Sequence, residues 1–145
     1  MLITGLVRAE SIGGDMVRIC LLLLLIAAPI AFAHDVTFAD AKAWADRDEG
    51  SLTSQQQHAL VQSQAPVVKA AMSSCLGANG PKPFSFVVVV ELDSTGKVLR
   101  AWRSNDSKIA DCFQSMAAKA KLFSPPKSPF YSSFEMDLPA GAISQ

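Results

Sequence analysis

Phe84-Ser85-Phe86-Val87-Val88-Val89-Val90-Glu91-Leu92-Asp93-Ser94-Thr95-Gly96-Lys97-Val98 is the stretch on which the fold turns. Phe84, Phe86, Val88, Val90 and Leu92 alternate onto one face, and Ser85, Val87, Val89, Glu91 and Asp93 onto the other, so the spacing predicts a strand from Phe84 to Asp93. Asp93-Ser94-Thr95-Gly96 has turn chemistry, with a glycine free to take a positive φ. Lys97 to Ser104 then returns as the second strand of a hairpin.

Downstream, Asn105, Asp106 and Ser107 are cap candidates for a helix whose apolar positions Ile109, Cys112, Phe113, Met116, Ala117 and Ala120 step by three and four, with Pro125-Pro126 as its stop. A third strand is predicted from Phe130 to Leu138, with Phe130, Phe134, Met136 and Leu138 inward and Tyr131, Ser133, Glu135 and Asp137 outward. Upstream, Thr53 or Ser54, each followed three residues later by glutamine, opens a helix in capping-box spacing. Its apolar row is Leu60, Val61, Ala65, Val68, Ala71, Met72 and Cys75, Gly77 closes it, and Pro66 predicts a kink or a break. Before it, Thr37 caps a short helix from Phe38 to about Arg47 with Phe38, Ala41, Trp44 and Ala45 on one face.

The order helix, strand, strand, helix, strand limits the topology. If the first strand runs up and the second down, the following helix climbs back and the third strand runs down, where it pairs antiparallel only with the first. The expected fold is α+β: a three-stranded antiparallel sheet in order 2-1-3, with the two helices of the helix-β-β-helix-β unit on one face.

The chain has 145 residues, 13 Lys+Arg against 13 Asp+Glu, and 50% hydrophobic residues. Neutral charge with acids and bases interspersed leaves no basic face, so nucleic acid is not expected as a partner. The apolar excess is concentrated between Ile19 and Ala33, an uncharged run behind Arg18 that ends in Ala31-Phe32-Ala33. Basic start, apolar stretch and small residues make this a secretory signal peptide spanning residues 1–33, cut between Ala33 and His34. The run is too short for a membrane anchor and holds Pro29, so no stable anchor is expected after cleavage. Cys20 precedes the apolar stretch and is not placed for lipidation. Met16-Val17-Arg18 is the compact basic start, and Gly13-Gly14-Asp15 would be coded by a purine-rich tract, so translation is expected to begin at Met16.

Arg8, Arg18, Glu10 and Asp15 leave with the leader, so the mature chain stays neutral. Cys75 and Cys112 remain, an even pair in an oxidising compartment, from which one disulfide is inferred; two unpaired buried thiols are the alternative. The topology places both at the same end of the sheet. Periplasmic location in a Gram-negative bacterium, or secretion, follows from the leader. Residues 34–51 form an N-terminal extension with the short helix and 52–145 the main domain.

Taken together, Cys75, the Phe84–Val98 stretch with its Asp-x-x-Gly-Lys-Val turn, the helix bearing Cys112, Leu122-Phe123-Ser124-Pro125-Pro126 and the closing strand resemble the C-terminal domain of TonB, and more narrowly its exported AgmX/PglI-type branch with one cysteine in each helix. The likeness covers roughly residues 60–138. It implies an exposed sheet edge that accepts another strand through main-chain hydrogen bonds. In the 2-1-3 order that edge is Phe130 to Leu138, so Phe130, Tyr131, Ser132, Ser133 and Phe134 are candidate binding residues, with Ser132 taken to carry an edge donor.

The second sheet face holds Val87 and Val89, joined according to register by Trp102 or by Leu99 and Ala101. Either the helix with Phe38 and Trp44 covers this patch, or it stays open as a protein-binding or homodimer surface rimmed by Arg100 and Arg103 beside Trp102. His34, at the new N-terminus, offers an amine and an imidazole to copper, but a full site needs a further ligand and His58 is the other histidine. Ser73, Ser74, Ser132 and Ser133 lack a glycine elbow, Asp46, Asp48 and Glu49 read as a solvated helix end, and Glu91 with Asp93 as strand rim. No catalysis and no cofactor are expected. The functional expectation is an exported adaptor that binds a cell-envelope protein by edge-strand pairing or through the sheet face. The alternatives are a periplasmic inhibitor of a toxic enzyme and a copper-binding protein using His34.

Overall fold

The structure, a computed structural model, describes residues 35–76 and 83–139. The expected leader with its start at Met16 and with Cys20, the expected new terminus at His34, and the expected helix stop at Gly77 lie outside the described residues. The elements are α1 (Phe38–Gly50), α2 (Ser54–Cys75), β1 (Phe84–Leu92), β2 (Val98–Arg103), α3 (Lys108–Ala117) and β3 (Phe130–Leu138).

Local chemistry starts the helices where the caps were read. Thr37 and Asp40 form a capping box on α1, and Thr53 and Gln56 another on α2. Ser107 caps α3 by accepting from the Ala110 N–H at 3.3 Å. Three expectations are corrected. α1 continues past Arg47 to Gly50, because Asp48 and Glu49 are drawn onto β3 rather than left in water. α2 runs as one helix through Pro66, an exposed position, so the expected break into two helices is not found. Its buried side is carried by Leu60, Val67, Val68, Ala71 and Met72, whereas Val61 is 61% exposed and Ala65 is also outside. α3 ends at Ala117, well before Pro125-Pro126, because the chain there turns extended against the hairpin: Val98 N–H donates to Ala120 O and Leu122 N–H to Gly96 O, and Lys97 bridges Lys121.

The sheet order is β2-β1-β3, antiparallel throughout. β3 pairs along the whole of β1, from Phe84↔Leu138 to Leu92↔Phe130. β2 pairs only from Val88↔Arg103 to Leu92↔Val98, with a bulge at Glu91/Leu92 that leaves Leu99 unpaired and 53% exposed.

α2 and α3 cover one sheet face. Phe86, Val88, Val90 and Leu92 of β1 meet Phe130 and Phe134 of β3, Leu60 and Ala71 of α2, and Phe113 and Ala117 of α3 in the main core. Phe113 stacks edge-on with Phe134 and against Phe86, with ring centres 5.4 Å apart in both pairs. α1 covers the opposite face: Ala41 and Ala45, both without exposed surface, let the helix approach Val89 and Tyr131, and Val36, Phe38, Trp44, Val87 and Trp102 surround them. Of the two readings of that face, the covered one holds. Cys75 at the end of α2 is bonded to Cys112 in α3, with Cα atoms 5.8 Å apart, and one disulfide ties the two core helices.

Candidate functional site at the β3 edge

In an antiparallel ladder, main-chain groups of alternate residues point toward the neighbouring strand and those between point away. Ser104 N–H donates to Val87 O at 2.9 Å on the β2 side, so Val87, Val89 and Glu91 face β2 and the even residues of β1 face β3. On β3 the outward groups therefore belong to Tyr131, Ser133, Glu135 and Asp137. Ser132 pairs inward with Val90. The edge donor assigned to Ser132 from sequence thus faces β1, and its neighbours carry the edge.

The first half of that edge is closed from within the chain. Tyr131 N–H donates to Asp48 Oδ2 at 3.1 Å, and Ser133 N–H to Glu49 Oε1 at 2.8 Å. Gln64 Nε2 donates to Ser133 O at 3.1 Å and to Ser132 Oγ at 3.0 Å, and Ser132 Oγ in turn donates to Glu49 Oε1 at 2.7 Å. Phe130 and Phe134 lie in the main core and Tyr131 beneath α1. The open edge expected over Phe130 to Phe134 is accordingly corrected: side chains of α1 and α2 occupy it.

Asp48 has no exposed surface, and a buried carboxylate is costly unless paired and hydrogen-bonded. It is both: Arg47 and Lys127 bind its Oδ1 while Tyr131 N–H takes Oδ2. Glu49 relies on Ser132, Ser133 and the Ser133 amide, and among the described residues no cation pairs with it. Sequence reading placed both acids in solvent. The signal was present in the spacing, since Ala41, Ala45 and Asp48 fall at i, i+4 and i+7 on one helix face.

Beyond Ser133 the edge changes character. Among the described residues the outward main-chain groups of Glu135 and Asp137 have no partner. Lys42 Nζ donates to Asp46 and lies 2.9 Å from Glu135, and the bond to Asp46 foremost, with the Glu135 contact behind it, raises the Lys42 ammonium above its usual range. Asp137 makes no ion pair among the described residues. Beneath these acids, on the core side, Met136 and Leu138 are only half-buried.

The remaining candidates are separated by the alternation of β2, in which Arg100 and Trp102 share one face and Arg103 takes the other. Trp102 and Arg100 fall on the α1 side. Trp102 donates its indole N–H to Val36 O at 2.9 Å and lies 6.0 Å from the Tyr131 ring, which also meets Trp44 at 4.9 Å. Arg100 bonds Glu91 at 2.6 Å and sits over the Trp102 ring at 5.1 Å. Burial, together with the nearby Glu91 carboxylate, pushes the Tyr131 hydroxyl above its ordinary value. Arg103 points to the other face, toward Asp106, Asp111 and Gln114 of the α3 region, so it does not rim Trp102. A shallow cleft of about 350 Å³ between α2 and α3 is lined by Pro66, Val67, Ala70, Met116, Lys119 and Ala120.

His58 stands exposed on α2 with Gln62 as its side-chain neighbour, and among the described residues no three potential ligands cluster to hold a metal. No described helix is long and apolar enough to cross a membrane. Compared with protein-family models, with curated proteins and with solved structures, the chain matches none.

Proposed function

We propose that this protein is an exported, non-catalytic adaptor of TonB C-terminal type that binds an extended segment of a cell-envelope protein along the second half of β3, Phe134 to Leu138. Export rests on the leader ending at Ala33 and on the cysteine pair, since disulfides persist in oxidising compartments. The observation that carries the binding mode is the contrast along one strand. Tyr131 and Ser133 have their outward donors filled, whereas those of Glu135 and Asp137 stand without partners among the described residues. Unpaired main-chain groups on a sheet edge are a template for a further strand. With α1 seated on the second sheet face, the edge is favoured over that face as the contact surface.

The test separates main chain from side chain. Glu135→Pro removes an outward N–H that no ladder bond uses, whereas Glu135→Ala keeps it. Cross-linking of the full-length exported protein in its host envelope is expected to yield a partner with wild type and with Glu135→Ala, and to lose it with Glu135→Pro. Retention of the partner by Glu135→Pro overturns edge pairing.

A further inference from the structure

We infer that Glu49, in the last turn of α1, is a displaceable latch on the strand-accepting edge and holds closed a donor that an incoming strand would take. The inference rests on the edge-pairing reading above and adds its regulation. Outward donors along one strand recur every second residue, about 6.8 Å apart. Asp48 and Glu49, consecutive in the helix, meet that repeat: their carboxylate oxygens lie 3.1 Å from Tyr131 N and 2.8 Å from Ser133 N, where the carbonyl oxygens of an added strand would sit. Gln64 completes the imitation, its side-chain N–H on Ser133 O at 3.1 Å standing in for a strand amide. Side chains and added strand compete for the same groups, so occupation by one excludes the other.

The two acids are not held alike. Asp48 is sealed by Arg47 and Lys127 as well as by Tyr131 N–H, so removing it leaves two cations and a buried amide without a partner. Glu49 has no cation to leave behind among the described residues. On release its carboxylate regains water and a strand carbonyl takes over the Ser133 donor, so the cost that remains is the acceptor lost by the buried Ser132 hydroxyl, which still accepts from Gln64. Glu49 is thus the part that lifts, and lifting it joins Ser133 to the open run at Glu135 and Asp137.

A synthetic peptide of residues 130–138 serves as the probe. Paired antiparallel about Phe134, it sets its Ser133 and Tyr131 opposite the chain's Glu135 and Asp137 and its Glu135 opposite the chain's Ser133, so that no acid faces another acid, and the pairing stops short of the chain's Tyr131, which Asp48 keeps. Its binding to the full mature protein is followed by the amide NMR shifts of Glu135 and Asp137 in wild type, Glu49→Ala, Glu49→Gln and Glu49→Ala/Ser133→Pro. Glu49→Ala is expected to bind about tenfold more tightly than wild type, the scale of one hydrogen-bonded position gained. Glu49→Gln, whose amide oxygen still accepts, is expected to stay near wild type, and the gain is expected to vanish when Ser133→Pro removes the donor. Gln64→Ala, which frees Ser133 O without touching α1, is expected to tighten binding too and keeps the test open if Glu49→Ala misfolds. Equal affinity in wild type, Glu49→Ala and Gln64→Ala, with the amides of Glu135 and Asp137 responding, overturns the latch alone. No response of those amides in any variant overturns the edge reading and the latch with it.

Discussion

A methyl group at Gly96 would lie 2.4 Å from the carbonyl oxygens of Leu122 and Phe123, and the residue has φ +84°. Its role is therefore double, to turn the hairpin and to let the 122–123 backbone pass. Gly96→Ala is expected to lower stability by about 2 kcal/mol or more, read from the shift in denaturant midpoint at unchanged m-value. Beside it, Asp93 Oδ1 accepts from Thr95 Oγ1, Thr95 N–H and Lys97 N–H at 2.7, 2.8 and 3.0 Å, and the Thr95 hydroxyl foremost holds the carboxyl below its ordinary value. The folded state thus favours the charged form. Its contribution is present above the unfolded carboxyl's titration and is lost as pH falls through the lowered folded value. An Asp93 carboxyl carbon titration midpoint below that of an unstructured aspartate, with the Lys97 amide losing protection relative to its intrinsic exchange rate as Asp93 protonates, checks this; an ordinary midpoint contradicts it. This turn was legible because Asp-x-x-Gly is a local code. Asp48 was not, because its partner Tyr131 lies 83 residues away and only the folded chain brings them together.

At the scale of elements, α1 is held by small residues and long-range polar bonds. Ala41 and Ala45 permit close approach to Val89, and a larger or charged side chain forces separation. Both tryptophans of the chain, Trp44 of α1 and Trp102 of β2, sit in this layer, so tryptophan fluorescence reports on the packing of α1 against the sheet. Ala41→Glu is expected to undock α1 and shift emission to longer wavelength while the far-ultraviolet strand signal persists; unchanged emission would show the helix tolerating the charge. The core helices are bound differently. Cys75–Cys112 closes a span of 37 residues, for which the loop-entropy relation gives about 3–4 kcal/mol. Cys75→Ser/Cys112→Ser is expected to lose that amount in chemical denaturation, and a loss near zero would place the stabilisation elsewhere. The caps at Thr37, Thr53 and Ser107 could be read from neighbours in sequence. Where α1 and α3 stop could not, because Glu49 and Lys121 are committed by contacts to β3 and to the hairpin.

For the whole molecule, element order sufficed to place the strands as 2-1-3, since short connections and antiparallel pairing leave β3 no partner but β1. That β1 has two apolar sides was readable as well, but whether α1 covered the second of them was left open by the sequence and is decided by its packing on Val89 and Tyr131. The half-closed edge was not readable, because it depends on the side chains of Asp48, Glu49 and Gln64, whose reach to β3 no periodicity reveals. On the export proposal, protein recovered from the host envelope with thiols blocked is expected to begin at His34 and to carry no alkylated cysteine. An intact leader would remove the basis for placing the fold outside the cytosol.

The covalent bridge has a consequence for how motion is distributed. It encloses residues 75 to 112, hence β1, β2 and the opening of α3, and both α1 and β3 lie beyond it. Oxidation therefore stiffens the half of the molecule that serves as a frame. The half where a helix tail guards a sheet margin is left to non-covalent equilibrium alone, free to open and reseat without breaking a bond.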